Sequence, residues 1–317
     1  MNSPDFRYVY GPVPSRRLGR SLGVDLVPFK TCTYDCIYCQ LGRTTCRTTD
    51  RKEYVPVTDI LVELRRKLAE GPSPDFVTLA GSGEPTLHSR IGELIREIKR
   101  LTFIPVAVLT NGSLLWMPEV QEALLEADLV VPSLDAGSER SFRRVNRPHP
   151  SIGFEEVVQG IGEFKTRFQK PVWLEVFLLA GVTGLASEVA KIAAIAARIR
   201  PDRVQLNTVS RPPAEAFAHP VPAKQMEAFA GMFDGKAEVI CEQAVVESQL
   251  PISPAVTDRD ILALLSRRPC TAEGVSVGLG LHVAEATKRL QSLTERGYVL
   301  PLRKSNGLVF YEMRRGT

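Results

Sequence analysis

The chain has 317 residues, of which 44% are hydrophobic and 24% charged, with a formal net charge of +4. This composition is typical of a folded globular protein and excludes disorder as the main state. No apolar run reaches the roughly 18–20 residues that span a bilayer, and the first residues lack the apolar core of a signal peptide, so we expect a cytoplasmic protein without a membrane segment. The net charge is +5 over residues 1–52 and +4 over residues 255–317, which favours polyanionic partners at those two places.

Short apolar strands alternate with amphipathic helices over most of the chain. Strands are predicted at 22–27, 76–80, 104–109, 129–134, 172–179, 204–207 and 237–240. Helices are predicted at 58–70, 91–101, 118–126, 154–168, 187–199 and 223–233. Such alternation predicts an α/β fold of six βα units with a parallel sheet and right-handed crossovers. In these folds, functional groups collect at the carboxyl ends of the strands.

The pattern changes after a proline-containing linker at residues 248–257. Helices are predicted at 258–267, 271–279 and 282–296, followed by strands at 298–302 and 308–311 around Ser305-Asn306-Gly307, a hairpin signal. We therefore predict a catalytic domain at 1–250 and a small α+β domain at 251–317 that resembles a winged helix. Its basic residues could contact the phosphates of a nucleic acid, or the domain could serve protein interaction or domain packing. These basic residues are Lys288, Arg289, Arg296, Arg303 and Lys304.

Four of the six cysteines fall within fifteen positions: Cys32, Cys36, Cys39 and Cys46. In a cytosolic chain such clustering indicates a metal or redox site before it indicates disulfides. A four-sulfur zinc site usually has two C-x2–4-C pairs, whereas here three thiols share one short loop. Three thiolates on a cubane cluster would leave one iron open to a substrate or cofactor. Cys46 as a fourth ligand would close that iron, so we expect it to be a free thiol; a zinc knuckle or chance proximity is the alternative for the triplet.

The loop Cys32-Thr-Tyr-Asp-Cys36-Ile-Tyr38-Cys39 resembles the signature of the radical S-adenosylmethionine (SAM) superfamily, C-x3-C-x-aromatic-C. The resemblance implies a partial (βα)6 barrel and a [4Fe-4S] cluster held by Cys32, Cys36 and Cys39. It also implies SAM on the open iron, Tyr38 beside the adenine, and an electron donor such as flavodoxin or ferredoxin.

Further elements resemble the SAM-binding positions of that superfamily. Ser82-Gly83-Glu84 is similar to its Gly-Gly-Glu element, which implies that Glu84 accepts a hydrogen bond from the SAM ammonium; a helix N-terminal acid is the alternative. Polar residues at later strand ends would contact the ribose and the methionyl carboxylate, although Asn111-Gly112 could be a plain turn. Val182 after Gly181 would form the apolar adenine wall. The ribose and methionyl positions are Asn111, Ser133 and Asp135, and Asn207 would be a polar contact near the adenine wall.

Two groups of basic residues flank these elements and could hold an anionic or phosphate-bearing substrate. The alternative is an ordinary solvated charged surface. The two groups are Arg16, Arg17 and Arg20, and Arg143, Arg144, Arg147 and His149.

The segment from Tyr8 to Gly23 resembles a radical SAM group described as wyosine-synthase-like iron–sulfur oxidoreductases. True wyosine synthases carry a second, N-terminal cysteine cluster and end their motif in Cys-Trp-Arg; here no cysteine precedes Cys32, and Gln40 follows Cys39. Three hypotheses follow. The chain is a radical SAM enzyme acting on a nucleic acid or nucleotide, a radical SAM enzyme acting on a small metabolite or peptide, or a cluster-based redox regulator that binds DNA.

Overall fold

The computed structural model describes residues 6–15, 17–70, 73–235, 237–240, 256–303 and 307–314. Residues 248–255 of the predicted linker, the hairpin-turn residues Ser305 and Asn306, and Cys241 lie outside the described residues.

The centre of the fold is an open, mostly parallel sheet. Its strands along the chain are β1 (Val9–Ser15), β2 (Gly19–Val24), β5 (Phe76–Leu79), β6 (Val106–Thr110), β7 (Leu129–Pro132), β8 (Trp173–Leu178), β9 (Arg203–Thr208) and β10 (Ala237–Val239). Two short strands between β2 and β5, β3 (Thr31–Cys32) and β4 (Cys46–Arg47), form a separate parallel pair. The spatial order is β1-β2-β5-β6-β7, and parallel bridges at Val130–Val172 and Ser133–Glu175 continue it into β8-β9-β10. Among the described strands, no pairing joins β10 to β1, so the α/β barrel is partial, as predicted.

Seven helices follow or connect these strands: α1 (Val57–Ala69), α2 (Ile91–Leu101), α3 (Pro118–Leu124), α4 (Glu139–Val145), α5 (Phe154–Arg167), α6 (Ala186–Ile199) and α7 (Ala223–Ala230). Their apolar faces are buried against the sheet; α2, for example, buries Ile91, Leu94, Ile95 and Ile98 completely. A 3-10 turn, Pro85–Leu87, follows β5. This arrangement brings the carboxyl ends of the parallel strands to one edge of the sheet.

The elements that the sequence did not predict include β1 and α4, and β2 lies elsewhere than predicted. β1 pairs antiparallel with β2 at the sheet edge, where its Gly11 and Pro12 are tolerated although they argue against an interior strand. β2 begins at Gly19 and ends at Val24, earlier than the predicted 22–27, because its pairing with β1 extends back to Gly19, while its pairing with β5 begins at Ser21. α4 was also missed; Ser138 caps its first turn by accepting from the Ser141 backbone N–H.

A second apolar core lies in what we call the C-terminal unit, which comprises α8 (Asp258–Arg267), α9 (Ala272–Leu279), α10 (Val283–Glu295), β11 (Val299–Arg303) and β12 (Val309–Met313). β11 and β12 form an antiparallel pair. Ile261, Val275 and Leu290 are fully buried in this core, and Val13 of β1 packs against it. The three helices and two strands agree with the predicted elements to within two residues at each end. The C-terminal unit therefore packs against the edge strand of the barrel.

In the described part of the chain, no helix is both long and apolar enough to cross a membrane.

Candidate active site

The cysteine loop begins just beyond the carboxyl end of β2 and is fastened to the loop that follows β5. The Lys30 backbone N–H donates to the Ser82 carbonyl (2.7 Å), and the Glu84 N–H donates to the Thr31 carbonyl (3.1 Å). A side chain at Gly83 would bring its Cβ to 1.8 Å from the Thr31 carbonyl oxygen, so only glycine allows this approach. The predicted cluster loop and the predicted SAM element are therefore direct neighbours.

Each of the three thiols of the loop faces at least one nitrogen donor. Asn111 Nδ2 lies 3.6 Å from Cys32 Sγ, which also accepts from the Tyr34 backbone N–H at 3.5 Å. The other two contacts are Asn146 Nδ2 to Cys36 Sγ, at 3.5 Å, and Lys30 Nζ to Cys39 Sγ, at 3.2 Å. Hydrogen bonds to cysteine sulfur are one of the features that set the potential of an iron–sulfur cluster.

The donor set fits a cluster better than a single metal ion. All three thiols are free, and the described residues contain no group of three or more His, Cys, Asp or Glu side chains that could hold one ion. A cubane differs because each thiolate binds a different iron. Burial raises the pKa of Cys32 to about 12 and that of Cys36 well above its usual range, so ligation would have to displace a proton from each of these two thiols. Cys46 is exposed in β4.

Glu84 is buried and receives four hydrogen bonds. Its Oε1 accepts from the Thr86 N–H (3.0 Å), the Thr86 hydroxyl (2.6 Å) and the Thr110 hydroxyl (2.6 Å), and its Oε2 accepts from the Asn111 N–H (2.8 Å). The residue caps the 3-10 turn, so the helix-terminal role weighed from the sequence is also present. Oε2, with a single bond among the described residues, retains capacity for another donor such as an ammonium.

Tyr38 and Asp135, predicted as separate SAM contacts, are joined by a hydrogen bond. The Tyr38 hydroxyl donates to Asp135 Oδ2, which also accepts from Asn146 Nδ2 at 2.8 Å. Asp135 Oδ1 accepts from the Phe177 N–H (3.0 Å), and the Tyr38 ring stacks on the Phe177 ring at 4.0 Å between centroids. Burial raises the pKa of Asp135 to about 6, although hydrogen bonds from Tyr38 and Asn146 oppose this shift.

The other predicted SAM contacts lie at the same strand ends. Asn111 follows β6 and also donates to the Thr33 hydroxyl at 2.7 Å. Val182 packs against the apolar cluster that Tyr38 and Phe177 also join. Ser133 follows β7, and Asn207 of β9 donates to Glu175 Oε1 at 2.6 Å. These residues occupy the strand-end edge of the sheet as a group.

The structure separates the basic residues predicted for substrate. Arg16 lies outside the described residues. Arg17 forms an ion pair with Glu175 (2.8 Å). Arg20 lies at the amino-terminal end of β2, where it contacts residues 73 and 75, so it is at the opposite end of the strand from the cysteine loop.

Two residues of the second basic group, Arg143 and Arg144, lie in α4, and the other two, Arg147 and His149, lie in the segment after it, which borders the cysteine loop. The His149 N–H donates to the Thr33 carbonyl (2.8 Å), and Arg147 forms ion pairs with Glu215 (2.6 Å) and Asp35 (3.6 Å). Arg143 pairs with Glu139, and Arg144 is exposed. Arg147 and His149, unlike Arg20, therefore lie beside the cysteine loop.

Sequence reasoning missed several residues that support the site. Lys30 could have been noticed because its charge immediately precedes the cysteine motif. Asn146 had no such signal, since it follows a helix that was not predicted. Asp25 accepts from the Ser82 N–H at 2.7 Å and is a buried acid within an apolar strand-like run, which was an available signal.

Comparison with known proteins assigns the family. The model of the radical SAM superfamily matches residues 26–196. A UPF0026 protein of Helicobacter pylori is 35% identical over 308 residues, which cover 96% of each chain. A Brachyspira hyodysenteriae protein named GTPase Obg is 39% identical over 292 residues, or 92% of this chain, but the match spans only 43% of that protein. The chain belongs to the radical SAM superfamily and to the family of UPF0026 proteins.

A solved structure agrees with this assignment at the level of the fold. A radical SAM methyltransferase from Sphaerobacter thermophilus superposes with a TM-score of 0.51 and 18% identity, covering 69% of this chain and 65% of that one. Members of the superfamily bind a [4Fe-4S] cluster and SAM. The protein is thus a radical SAM enzyme with these two cofactors.

Proposed function

We propose that Cys32, Cys36 and Cys39 bind the [4Fe-4S] cluster and leave one iron open for the amino and carboxylate groups of SAM. The observation that carries this assignment is that each thiol has its own nitrogen donor in a loop at the strand ends. The free thiols of the described residues suit a reducing compartment, and we place the enzyme in the cytoplasm.

In this assignment, Glu84 accepts the SAM ammonium on Oε2, and the surrounding strand ends hold the rest of the molecule. Tyr38 and Val182 supply apolar surface for the adenine, while polar side chains contact the ribose and the methionyl group. The polar contacts are Ser82, Asn111, Ser133, Asp135 and Asn207. Gly83 supports them by permitting the close approach of the two loops.

Cys32, Cys36 and Cys39 would hold the cluster, which when bound and reduced would supply one electron for cleavage of the S–C5′ bond of SAM, the chemistry that yields methionine and a 5′-deoxyadenosyl radical able to abstract hydrogen from a substrate. The residues of this chain bind and orient SAM and the substrate, and they exclude water from the site. A small electron-transfer protein such as flavodoxin or ferredoxin would reduce the cluster.

Iron content tests the cluster assignment. Cys32→Ala, Cys36→Ala and Cys39→Ala should each lose the cluster absorbance after anaerobic reconstitution. Cys46→Ala is the matched control, since it removes an exposed thiol of the same segment, and it should retain wild-type iron. Equal loss in the Cys46 variant would make that residue a ligand and contradict the assignment.

For the substrate, we favour a nucleic acid or nucleotide, in line with the resemblance to wyosine-synthase-like enzymes. The support is Arg147 and His149 beside the cysteine loop, with Arg143 and Arg144 in the preceding helix, together with the C-terminal unit, whose helices and hairpin suit a winged helix. Arg289 and Arg296 are already paired, with Glu285 and Asp258, while Arg303 is exposed and Lys304 lies outside the described residues. The alternative is a small metabolite or peptide, with the C-terminal unit contacting a partner protein.

Salt dependence separates these two proposals. If phosphates are contacted, binding of the full chain to transfer RNA or DNA should weaken steeply between 50 and 200 mM salt. Lys288→Gln combined with Arg303→Gln should reduce that slope. Absence of binding, or a flat salt dependence, would favour the metabolite or peptide. Loss of a specific RNA modification or metabolite on deletion of the gene would then identify the substrate.

A further inference from the structure

An arginine of the C-terminal unit reaches into the catalytic barrel. Arg267, the last residue of α8, donates from Nε to Asp25 Oδ2 at 2.8 Å and from Nη2 to the Arg7 carbonyl at 3.0 Å. Its guanidinium lies 4.4 Å from the centroid of the Tyr10 ring. The side chains of Arg267 and Asp25 are 12% and 8% exposed. The ion pair is therefore largely shielded from water, unlike the surface pairs that contribute little.

The other oxygen of Asp25 holds the loop that follows β5. Ser82 donates its backbone N–H to Asp25 Oδ1 at 2.7 Å, and a Cβ at the preceding Gly81 would lie 1.9 Å from that oxygen. The opposite side of the same loop is bonded to the cysteine loop through the Lys30 N–H and the Ser82 carbonyl, at 2.7 Å. One carboxylate thus connects Arg267 to the segment that carries Glu84.

We propose that Arg267, acting through Asp25, is a positioning residue for SAM, so that the C-terminal unit completes the SAM site of the catalytic barrel. The inference rests on the proposed role of Glu84 as acceptor of the SAM ammonium. Burial raises the pKa of Asp25, while the Arg267 charge and the hydrogen bond from the Ser82 backbone N–H oppose this shift, so Arg267 favours the carboxylate form of the acceptor behind the Ser82 N–H. Without Arg267, the Asp25 carboxylate would lose its charge partner. The loop after β5 would then lose a fixed support.

The experiment measures SAM binding to the anaerobically reconstituted full chain. The variants are Arg267→Gln, Asp25→Asn and the double variant, with iron content checked in each. Asp258→Asn is the matched control because it breaks an ion pair of the same helix, Asp258 with Arg296 at 3.0 Å, that does not touch the barrel. If Arg267→Gln fails to fold because Asp25 is left charged and buried, SAM binding is measured on the double variant, which removes both charges.

Arg267→Gln and Asp25→Asn should each raise the dissociation constant and the KM for SAM about tenfold, as expected for the loss of a charge-assisted hydrogen bond. The kcat at saturating SAM should stay close to the wild-type value, and the double variant should be no worse than either single variant, because both act through one path. Asp258→Asn should leave SAM affinity unchanged.

Unchanged SAM affinity in the folded variants, with only a lower unfolding temperature, would overturn the inference and leave Arg267 as a structural link. Failure of the proposed function gives a different result: wild-type protein with its full iron content would not bind SAM, or Glu84→Gln would bind it as wild type does.

Discussion

In the proposed site, the carboxylate of Glu84 has two tasks. Oε1 accepts from Thr86 and Thr110, which fixes the 3-10 turn, while Oε2, which accepts only from the Asn111 backbone among the described residues, would bind the SAM ammonium. The turn holds the carboxylate in place before SAM arrives, so little side-chain freedom is lost on binding.

Glu84→Gln should raise the dissociation constant for SAM about tenfold or more, because a hydrogen bond to a charged group contributes roughly 1.5–3 kcal/mol. Equilibrium dialysis with labelled SAM measures the change. Glu63→Gln is the control: its carboxylate is also buried and accepts from the backbone N–H groups of residues 7–9 at 2.8–3.0 Å, in α1. The Glu63→Gln variant should lose stability and keep the SAM affinity of the wild type. A Glu84→Gln variant that also binds SAM as tightly as the wild type would refute the role of Glu84.

Asp135 should give the protein without its cluster a distinctive pH dependence. Burial raises the pKa of Asp135 from 3.8 to about 6. The folded state then holds a proton that the unfolded chain has released, so the stability that Asp135 contributes is complete below pH 4 and is lost as the pH rises through 6. The loss amounts to roughly 3 kcal/mol.

Asp135→Asn should remove this contribution. Urea unfolding at pH 4 and pH 7 measures it: the fall in unfolding free energy between the two pH values should be smaller in the variant than in the wild type. An identical fall in both proteins would show that Asp135 has an ordinary pKa.

At the scale of elements, the site depends on the contact between two loops, one after β2 and one after β5. Gly83 is the point of closest approach, since any side chain there would meet the backbone carbonyl of Thr31. A backbone oxygen cannot rotate away as a flexible side chain can, so the loops would have to separate.

Gly83→Ala should therefore reduce the free energy of unfolding by about 1–3 kcal/mol and lower the iron content after reconstitution. Gly162→Ala is the control, because a Cβ at this position of α5 would have no atom within 4 Å. That variant should be stabilised by about 0.5–1 kcal/mol, since alanine favours the helix. Thermal or urea unfolding compares the two; tolerance of Gly83→Ala with full iron content would contradict the close approach.

The elements that the sequence predicts well are those with a clear apolar period. α2 and α8 begin and end where the sequence analysis places them, because their buried positions recur at helical spacing and their neighbours are polar. β1 was missed because Gly11 and Pro12 weigh against a strand, and only the pairing with β2 at the sheet edge makes the segment extended. Tertiary pairing of that kind has no local signature.

At the scale of the whole molecule, the motif identified the chemistry but not the contacts that support it. Local spacing marks Cys32, Cys36 and Cys39, whereas the bond between Asp25 and Arg267 joins residues 242 positions apart, which no single sequence can reveal. The structure also changes the interpretation of the charge pattern along the chain. Part of the basic excess is paired with acids, as in Arg17 with Glu175, and Arg20 lies at the other end of its strand.

We propose above that the cysteine loop holds the cluster that takes part in SAM cleavage. The most direct measurement is release of 5′-deoxyadenosine from the anaerobically reconstituted protein given dithionite and SAM. We expect 5′-deoxyadenosine from the wild type and from Cys46→Ala, and none from Cys36→Ala. Wild-type protein with its full iron content that releases none, or Cys36→Ala that releases as much as the wild type, would contradict the proposal.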